Sequence, residues 1–243
     1  MKSQYSKEKF ADLLEHFVRS LSSYVATEDG QWTIKGFIDI YKNIYTISSD
    51  TKIVSKILEL HIFPKLVQFA NNNDFDIELA SCQNYYPDLT FVHKKDPRIL
   101  FAVDLKTSYR NPDNPELCNG FTLGSHGEYF RDRKSTKNIQ HPYADYLGHF
   151  CLGIIYDRTE GDSVQGETEI GKLDDLEGMV SVIRNFQFFA VEKWKIASDK
   201  GGSGNTANIG SIKRLMTSSR AMGYSVNTAR RFLTITGSIS GRF

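Results

Sequence analysis

Three charged side chains stand in or beside two strand-like apolar runs: Asp88 in YPDLTF, and Asp104 and Lys106 in FAVDLK. In an extended strand, residues i and i+2 share a face, so Asp104 and Lys106 point the same way with Leu105 opposite. Asp88 opens the preceding run, and pairing of the two runs brings its carboxylate beside Asp104. Converging carboxylates repel unless a cation lies between them, and hard oxygen ligands suit Mg²⁺. Such an ion activates water for attack on phosphorus and neutralises phosphoryl oxygens, while a lysine within reach stabilises the same charge. These residue types are a kit for metal-assisted phosphodiester hydrolysis. The pattern also fits an Asp–Lys surface pair on an edge strand, with Asp88 as a turn residue after Pro87, and periodicity alone leaves both readings open. Glu59 in ILELHIF is a third acid set among apolar neighbours, where carboxylates seldom lie without a partner. A flanking position on an amphipathic helix accounts for it as well.

The elements that must position these groups are readable from periodicity. Phe10, Leu13, Leu14, Phe17, Val18 and Leu21 fall at helical spacing and predict an amphipathic helix over 6–24. WTIKGFIDIYKNIYTI predicts β-structure broken near Lys42 and Asn43. Ser48, Ser49 and Asp50 signal the N-cap of a second helix over 51–71. Strands are expected at 89–93 and 98–106, the second nearly continuous in apolar residues, as a central strand is. The stretch 111–127, with two prolines and several glycines, predicts a long surface loop. A helix is expected over 143–149, then a buried strand CLGIIY, a polar segment, and a strand at 186–196. The mixture predicts an α/β (α+β) fold with a mixed central β-sheet flanked by helices.

Composition sets outer bounds. The chain has 243 residues, 40% hydrophobic and 24% charged, as in a globular protein. Its apolar runs fall short of the ~20 residues that span a bilayer, so no membrane partner is expected. Cys82, Cys118 and Cys151 are widely spaced without a CxxC pair, which fits a reducing cytoplasm and neither a disulfide framework nor a zinc site. Net charge is +1, but residues 184–243 hold ten Lys/Arg against Glu192 and Asp199. A basic quarter joined to an acidic remainder suits a protein that grips a polyanion, and a solvated basic surface gives the same count.

The segments SDTKIVSKILEL, CQNYYPDLTF, FAVDLKTSY, FTLG, STKNI and GGSGNTANIGSI resemble, in order and spacing, those of EcoRV-like type II restriction endonucleases. These enzymes lie within the PD-(D/E)XK nuclease superfamily. The resemblance implies the restriction-endonuclease-like core and a homodimer that clamps double-stranded DNA. It also implies Mg²⁺ as cofactor, a cognate DNA methyltransferase as functional partner, and a bacterial cytoplasmic location. By motif match, Asp88 and Asp104 are implied metal ligands with the Leu105 carbonyl helping, Lys106 the catalytic lysine, and Glu59 an auxiliary acid and metal ligand. Asp50, Thr51 and Lys52 match a segment near the active site and dimer interface, and Gln83 and Asn84 a minor-groove loop. Thr107 and Ser108 match DNA contacts, and Lys137 and Arg158 backbone contacts. Residues 1–47 are the implied dimerisation element and 48–243 the catalytic and recognition part of what reads as one continuous domain.

GGSGNTANIGS is not a Walker loop, because no Gly-Lys-Ser/Thr ends it. On composition alone it reads as a flexible connector. Under the resemblance, Gly202, Ser203, Gly204, Asn205, Thr206 and Asn208 form the base-reading loop. Glycines let the backbone approach base edges, Asn205 can pair bidentately with adenine, and Thr206 offers its methyl to thymine. The implied target is a short palindrome, GATATC, cut to blunt ends that carry 5′-phosphates. A repair or junction nuclease of the same superfamily, and a DNA-binding dimer with impaired cleavage, are the alternative readings. The tail after Ile212 does not match the family's C-terminal region.

Overall fold

The computed structural model describes residues 6–82, 84–125, 134–159, 169–201, 208–211 and 213–214. Helix α1 (Lys7–Arg19) starts where the Ser6 hydroxyl accepts the Lys9 N–H and buries Phe10, Leu14 and Val18 along one stripe. It stops short of the expected residue 24. The Ser20 hydroxyl donates to the Phe17 carbonyl, and a separate turn of helix, α2 (Ser22–Val25), follows. Strands β1 (Gly36–Ile38) and β2 (Asn43–Thr46) form a hairpin. Lys42, at φ 64°, makes the break expected there. The Asp50 carboxylate caps α3 (Thr51–Asn72), accepting the N–H groups of Lys52 and Ile53 at 2.9 and 3.2 Å.

Beyond α3 come β3 (Phe75–Leu79), β4 (Leu89–His93), β5 (Leu100–Asn111), β6 (Asn114–Cys118) and β7 (Thr122–Ser125). A 3₁₀ turn at Tyr143–Asp145 leads into β8 (Tyr146–Arg158). Then follow β9 (Ile170–Lys172), a 3₁₀ turn at Leu173–Asp175, β10 (Ile183–Glu192) and a 3₁₀ turn at Lys193–Ile196. The last described strands are β11 (Ala197–Gly201) and β12 (Asn208–Ser211). Two expectations need correction. The loop expected over 111–127 contains β6 and β7, and the helix expected over 143–149 is one 3₁₀ turn entering a long strand. There, pairing of β8 with Leu100 to Tyr109 of β5 outweighs local helical spacing. The sequence reading also missed β3, a short strand directly after the helix.

The main sheet runs β10-β8-β5-β4-β3, with β6 also paired to β5. Within this sheet β5 and β8 pair in parallel and the other described strand pairs are antiparallel, so the central sheet is mixed, as expected. β1, β2 and β9 form a second sheet, and β11, β12 and β7 a third. Along β5, Phe101 and Val103 face the larger core, which α1 and α3 close. Phe10 of α1 stacks on Phe101 with ring centroids 4.1 Å apart, so the N-terminal helix shares the core of the main sheet. Leu100 and Ala102 face a second core with Tyr86, Tyr146 and Cys151. Asp104 and Lys106 continue that second row. Among the described residues, no helix is long and apolar enough to cross a membrane.

Candidate active site

Strand register brings the two aspartates together. β4 and β5 are antiparallel with Leu89 opposite Val103, which sets Asp88 opposite Asp104. The Leu105 N–H donates to Asp88 Oδ2 at 2.7 Å and fixes that carboxylate against β5. Lys106 Nζ lies 2.7 Å from Asp104 Oδ2 and 3.7 Å from Asp88 Oδ2, and donates to the Leu105 carbonyl at 3.2 Å. The three side chains therefore meet at one point. β5 lies between β4 and β8, and Asp104 is only 5% exposed, so the edge-strand surface pair is ruled out.

A second lysine, unmarked by any sequence signal, joins them. Lys193 Nζ lies 2.9 Å from the same Asp104 oxygen, Oδ2, and 4.1 Å from the centre of the Tyr86 ring. Its side chain is 1% exposed. It sits in EKWK, at the end of β10, where strand periodicity treats it as one more residue.

Electrostatics separates the two acids. Burial alone would raise the Asp104 carboxyl, but the ammonium groups of Lys106 and Lys193 outweigh it and hold the group well below the usual carboxylate range. Asp88 moves the other way, up to about 6, through burial and the neighbouring Asp104 charge, against the opposing pull of Lys106. Burial disfavours the Lys106 ammonium, yet Asp104 and Asp88 more than offset this and keep it firmly protonated. For Lys193, burial wins over the attraction of Asp104 and lowers its pKa. Cys151, opposite Asp104 on β8, is pushed up to about 12 by burial and the Asp104 charge, so it is a structural thiol rather than a nucleophile.

The donors suit a hard divalent cation. They are two carboxylates and a main-chain carbonyl, all oxygen, and Asp88 is held high by burial and then by a like charge that a cation between the pair would relieve. Among the described residues, no group of three or more His, Cys, Asp or Glu side chains is placed to hold a metal. Two carboxylates and a carbonyl leave most of the coordination sphere to water, which Mg²⁺ favours.

A cleft of about 490 Å³ adjoins the site, lined by Leu105, Lys106 and Thr107 of β5 and by Thr51, Ser55 and Glu59 of α3, among others. Glu59 is half-buried and ion-paired with Lys56 at 2.7 Å, so its partner is a lysine of its own helix. Ser55 and Thr107 share a hydrogen bond across the cleft floor, and sequence reasoning had singled out only Thr107. Lys52 also lines the cleft, while Asp50 caps the helix that carries it. Ser108 is buried, and its hydroxyl donates to the Asn119 carbonyl at 2.5 Å, facing the fold. Asn84 and Lys137 are exposed. The Arg158 guanidinium lies 3.7 Å over the Tyr109 ring. Gln83, Gly202, Ser203, Gly204, Asn205 and Thr206 lie outside the described residues. For Asn208 the backbone is described, in β12. Gly201 pairs with Ile209, so the two ends of the glycine-rich segment are held side by side.

The chain also matches known proteins over most of its length. The type II restriction enzyme EcoRV of Escherichia coli is 34% identical to the chain over 185 residues, covering 76% of this chain and 73% of that enzyme. A sequence model described as restriction endonuclease EcoRV matches residues 28–226, a span that holds Asp88, Asp104, Lys106, Lys193 and the glycine-rich segment. The chain belongs to the EcoRV restriction endonuclease family.

Proposed function

We propose that the protein cuts double-stranded DNA within GATATC, to blunt ends bearing 5′-phosphates, at a Mg²⁺ site built on Asp88 and Asp104. Family membership makes it a type II restriction endonuclease, a site-specific deoxyribonuclease of the hydrolase class that binds DNA. The observation that carries the metal-site reading is the convergence of Asp88, Asp104 and Lys106 where the middle of β5 runs beside the start of β4.

In this reading Asp88, Asp104 and the Leu105 carbonyl hold the ion, which when bound neutralises phosphoryl oxygens and lowers the pKa of the attacking water. Asp104 is ionised because two lysines flank it. Lys106, protonated and bordering the cleft, brings its charge to the scissile phosphate. Leu105 N–H and Lys106 keep the Asp88 carboxylate turned toward Asp104. Water attacks phosphorus in line as the P–O3′ bond breaks, leaving a 5′-phosphate and a 3′-oxygen that takes up a proton, with no covalent enzyme intermediate. Glu59, at the cleft wall beside Lys106, is the auxiliary acid.

Recognition is assigned to Gly202, Ser203, Gly204, Asn205, Thr206 and Asn208 in the major groove, with Gln83 and Asn84 in the minor groove. Thr51, Lys52, Thr107, Lys137 and Arg158 contact the backbone, and Ser108 and Asp50 support them from within the fold. A palindrome requires two-fold symmetry, so the acting species is a homodimer. The β1–β2 hairpin supports residues 1–47 as its dimerisation element, because Phe37, Ile38, Ile40 and Tyr41 are all more than half exposed. A bacterial cytoplasm and a partner methyltransferase complete the proposal, since unprotected host sites would be cut.

Digestion of plasmid DNA with the protein and Mg²⁺, followed by sequencing of the ends, tests it. Blunt ends centred on GATATC are expected. Staggered ends, another palindrome, structure-selective nicking, or binding without cleavage would each replace it.

A further inference from the structure

Two ammonium groups on one carboxylate oxygen is more than neutralisation of Asp104 requires. Lys106 Nζ at 2.7 Å and Lys193 Nζ at 2.9 Å both address Oδ2. Their surroundings differ. Lys106 is 22% exposed, borders the cleft, and also reaches Asp88 and the Leu105 carbonyl. Lys193 is sealed in the second core, its ammonium against the face of Tyr86. Tyr86 is two residues before Asp88, and its hydroxyl is hydrogen-bonded to His149 Nδ1 at 2.9 Å. Lys193 thus touches one acid directly and packs on the segment that presents the other.

We propose that Lys193 is a positioning residue for cleavage, the fixed counter-ion that anchors Asp104 Oδ2 while Lys106 turns to the DNA phosphate. The inference rests on the roles proposed above for Asp104 and Lys106. If Lys106 were the sole partner of this buried carboxylate, its departure would leave Asp104 uncompensated and free to rotate, a costly state in a low-dielectric interior. Lys193 has no route to solvent or DNA, so its charge stays on Oδ2 throughout. Lys193 also opens the turn into β11, which carries one end of the glycine-rich segment. The anchor of Asp104 and the base of that segment are therefore one piece of chain.

The test uses the full chain with Lys193→Met and, should that variant fold poorly, Lys193→Gln, with Asp104→Ala in parallel. Four readouts are taken: thermal melting, Mn²⁺ binding without DNA by calorimetry, duplex binding in Ca²⁺, and the single-turnover cleavage rate in Mg²⁺. Loss of the anchor is expected to slow single-turnover cleavage by at least about tenfold, with duplex affinity within roughly threefold. Mn²⁺ should bind several-fold tighter, because a positive charge has left the side of its ligand. A merely structural lysine would instead give weaker Mn²⁺ binding together with lower melting and weaker DNA binding, which overturns the proposal. A cleavage rate within about twofold of the unsubstituted protein overturns it too. If Asp104→Ala is inactive while Lys193→Met is unimpaired, only this inference fails. If Asp104→Ala cleaves normally, the underlying active-site reading fails.

Discussion

Asp88 stands opposite Asp104 across the β4–β5 pair, and a single lysine, Lys106, lies within 3.7 Å of both carboxylates. That relationship turns the start of β4 and the middle of β5 into a site where two carboxylates crowd each other.

Asp88 has its folded-state pKa raised from 3.8 to about 6. A raised carboxyl keeps its proton in the folded state while the unfolded chain releases it, so stability falls as pH rises from roughly 4 to 6 and the penalty persists above. Its side chain is 40% exposed, which limits the effect to on the order of 1 kcal/mol. Without divalent metal at about pH 7.5, Asp88→Asn should melt roughly 2–4 °C above the unsubstituted protein. The difference should vanish below about pH 4. Melting curves with and without Mg²⁺ check this, since added ion should raise the melting point of the unsubstituted protein and leave the variant unchanged.

Gly153 of β8 pairs with Lys106 on one side and Phe189 on the other, and the Phe189 ring lies where a Cβ would go, 2.0 Å away. Gly153→Ala must displace a packed ring next to the backbone that pairs with Lys106. Chemical denaturation should show a loss of about 1–3 kcal/mol. Cleavage should fall along with stability, because β8 carries the neighbour of Lys106.

Phe10 ties α1 to the centre of the sheet through Phe101 and also meets Phe75, Phe91 and Phe150. Phe10→Ala should cost about 3–5 kcal/mol, a cavity-scale loss. A value under 1 kcal/mol would mean that the N-terminal helix is not part of the main-sheet core.

Asp50 caps the helix that forms the cleft wall. Asp50→Ala should cost about 1 kcal/mol by loss of its two backbone hydrogen bonds. Hydrogen exchange should show the change concentrated in the first turn of α3, at Lys52 and Ile53.

How much of this was legible beforehand follows from the range of each interaction. Asp88, Asp104 and Lys106 were readable because strand periodicity is local and β4 and β5 are consecutive, so their pairing needed only a short connection. The bounds 89–93 of β4 were readable from its apolar run and the turn residues around it. β8 was misjudged at its start because Tyr146 to His149 has helix-compatible spacing, and only its distant partner β5 makes it a strand. Lys193 was invisible for the same reason: its partner Asp104 lies far back in the chain, and nothing in EKWK distinguishes it from a solvated lysine. Glu59 stood out among apolar neighbours, yet its contact is Lys56, one turn away, at the half-open face of the helix.

The central claim is that Asp104 serves the cutting chemistry rather than DNA binding. The most direct measurement takes Asp104→Ala and the unsubstituted protein, and compares single-turnover cleavage of a GATATC duplex in Mg²⁺ with binding of the same duplex in Ca²⁺. Cleavage should fall by about a thousandfold or more while binding stays within a few-fold. Cleavage by Asp104→Ala at the unsubstituted rate would contradict the account.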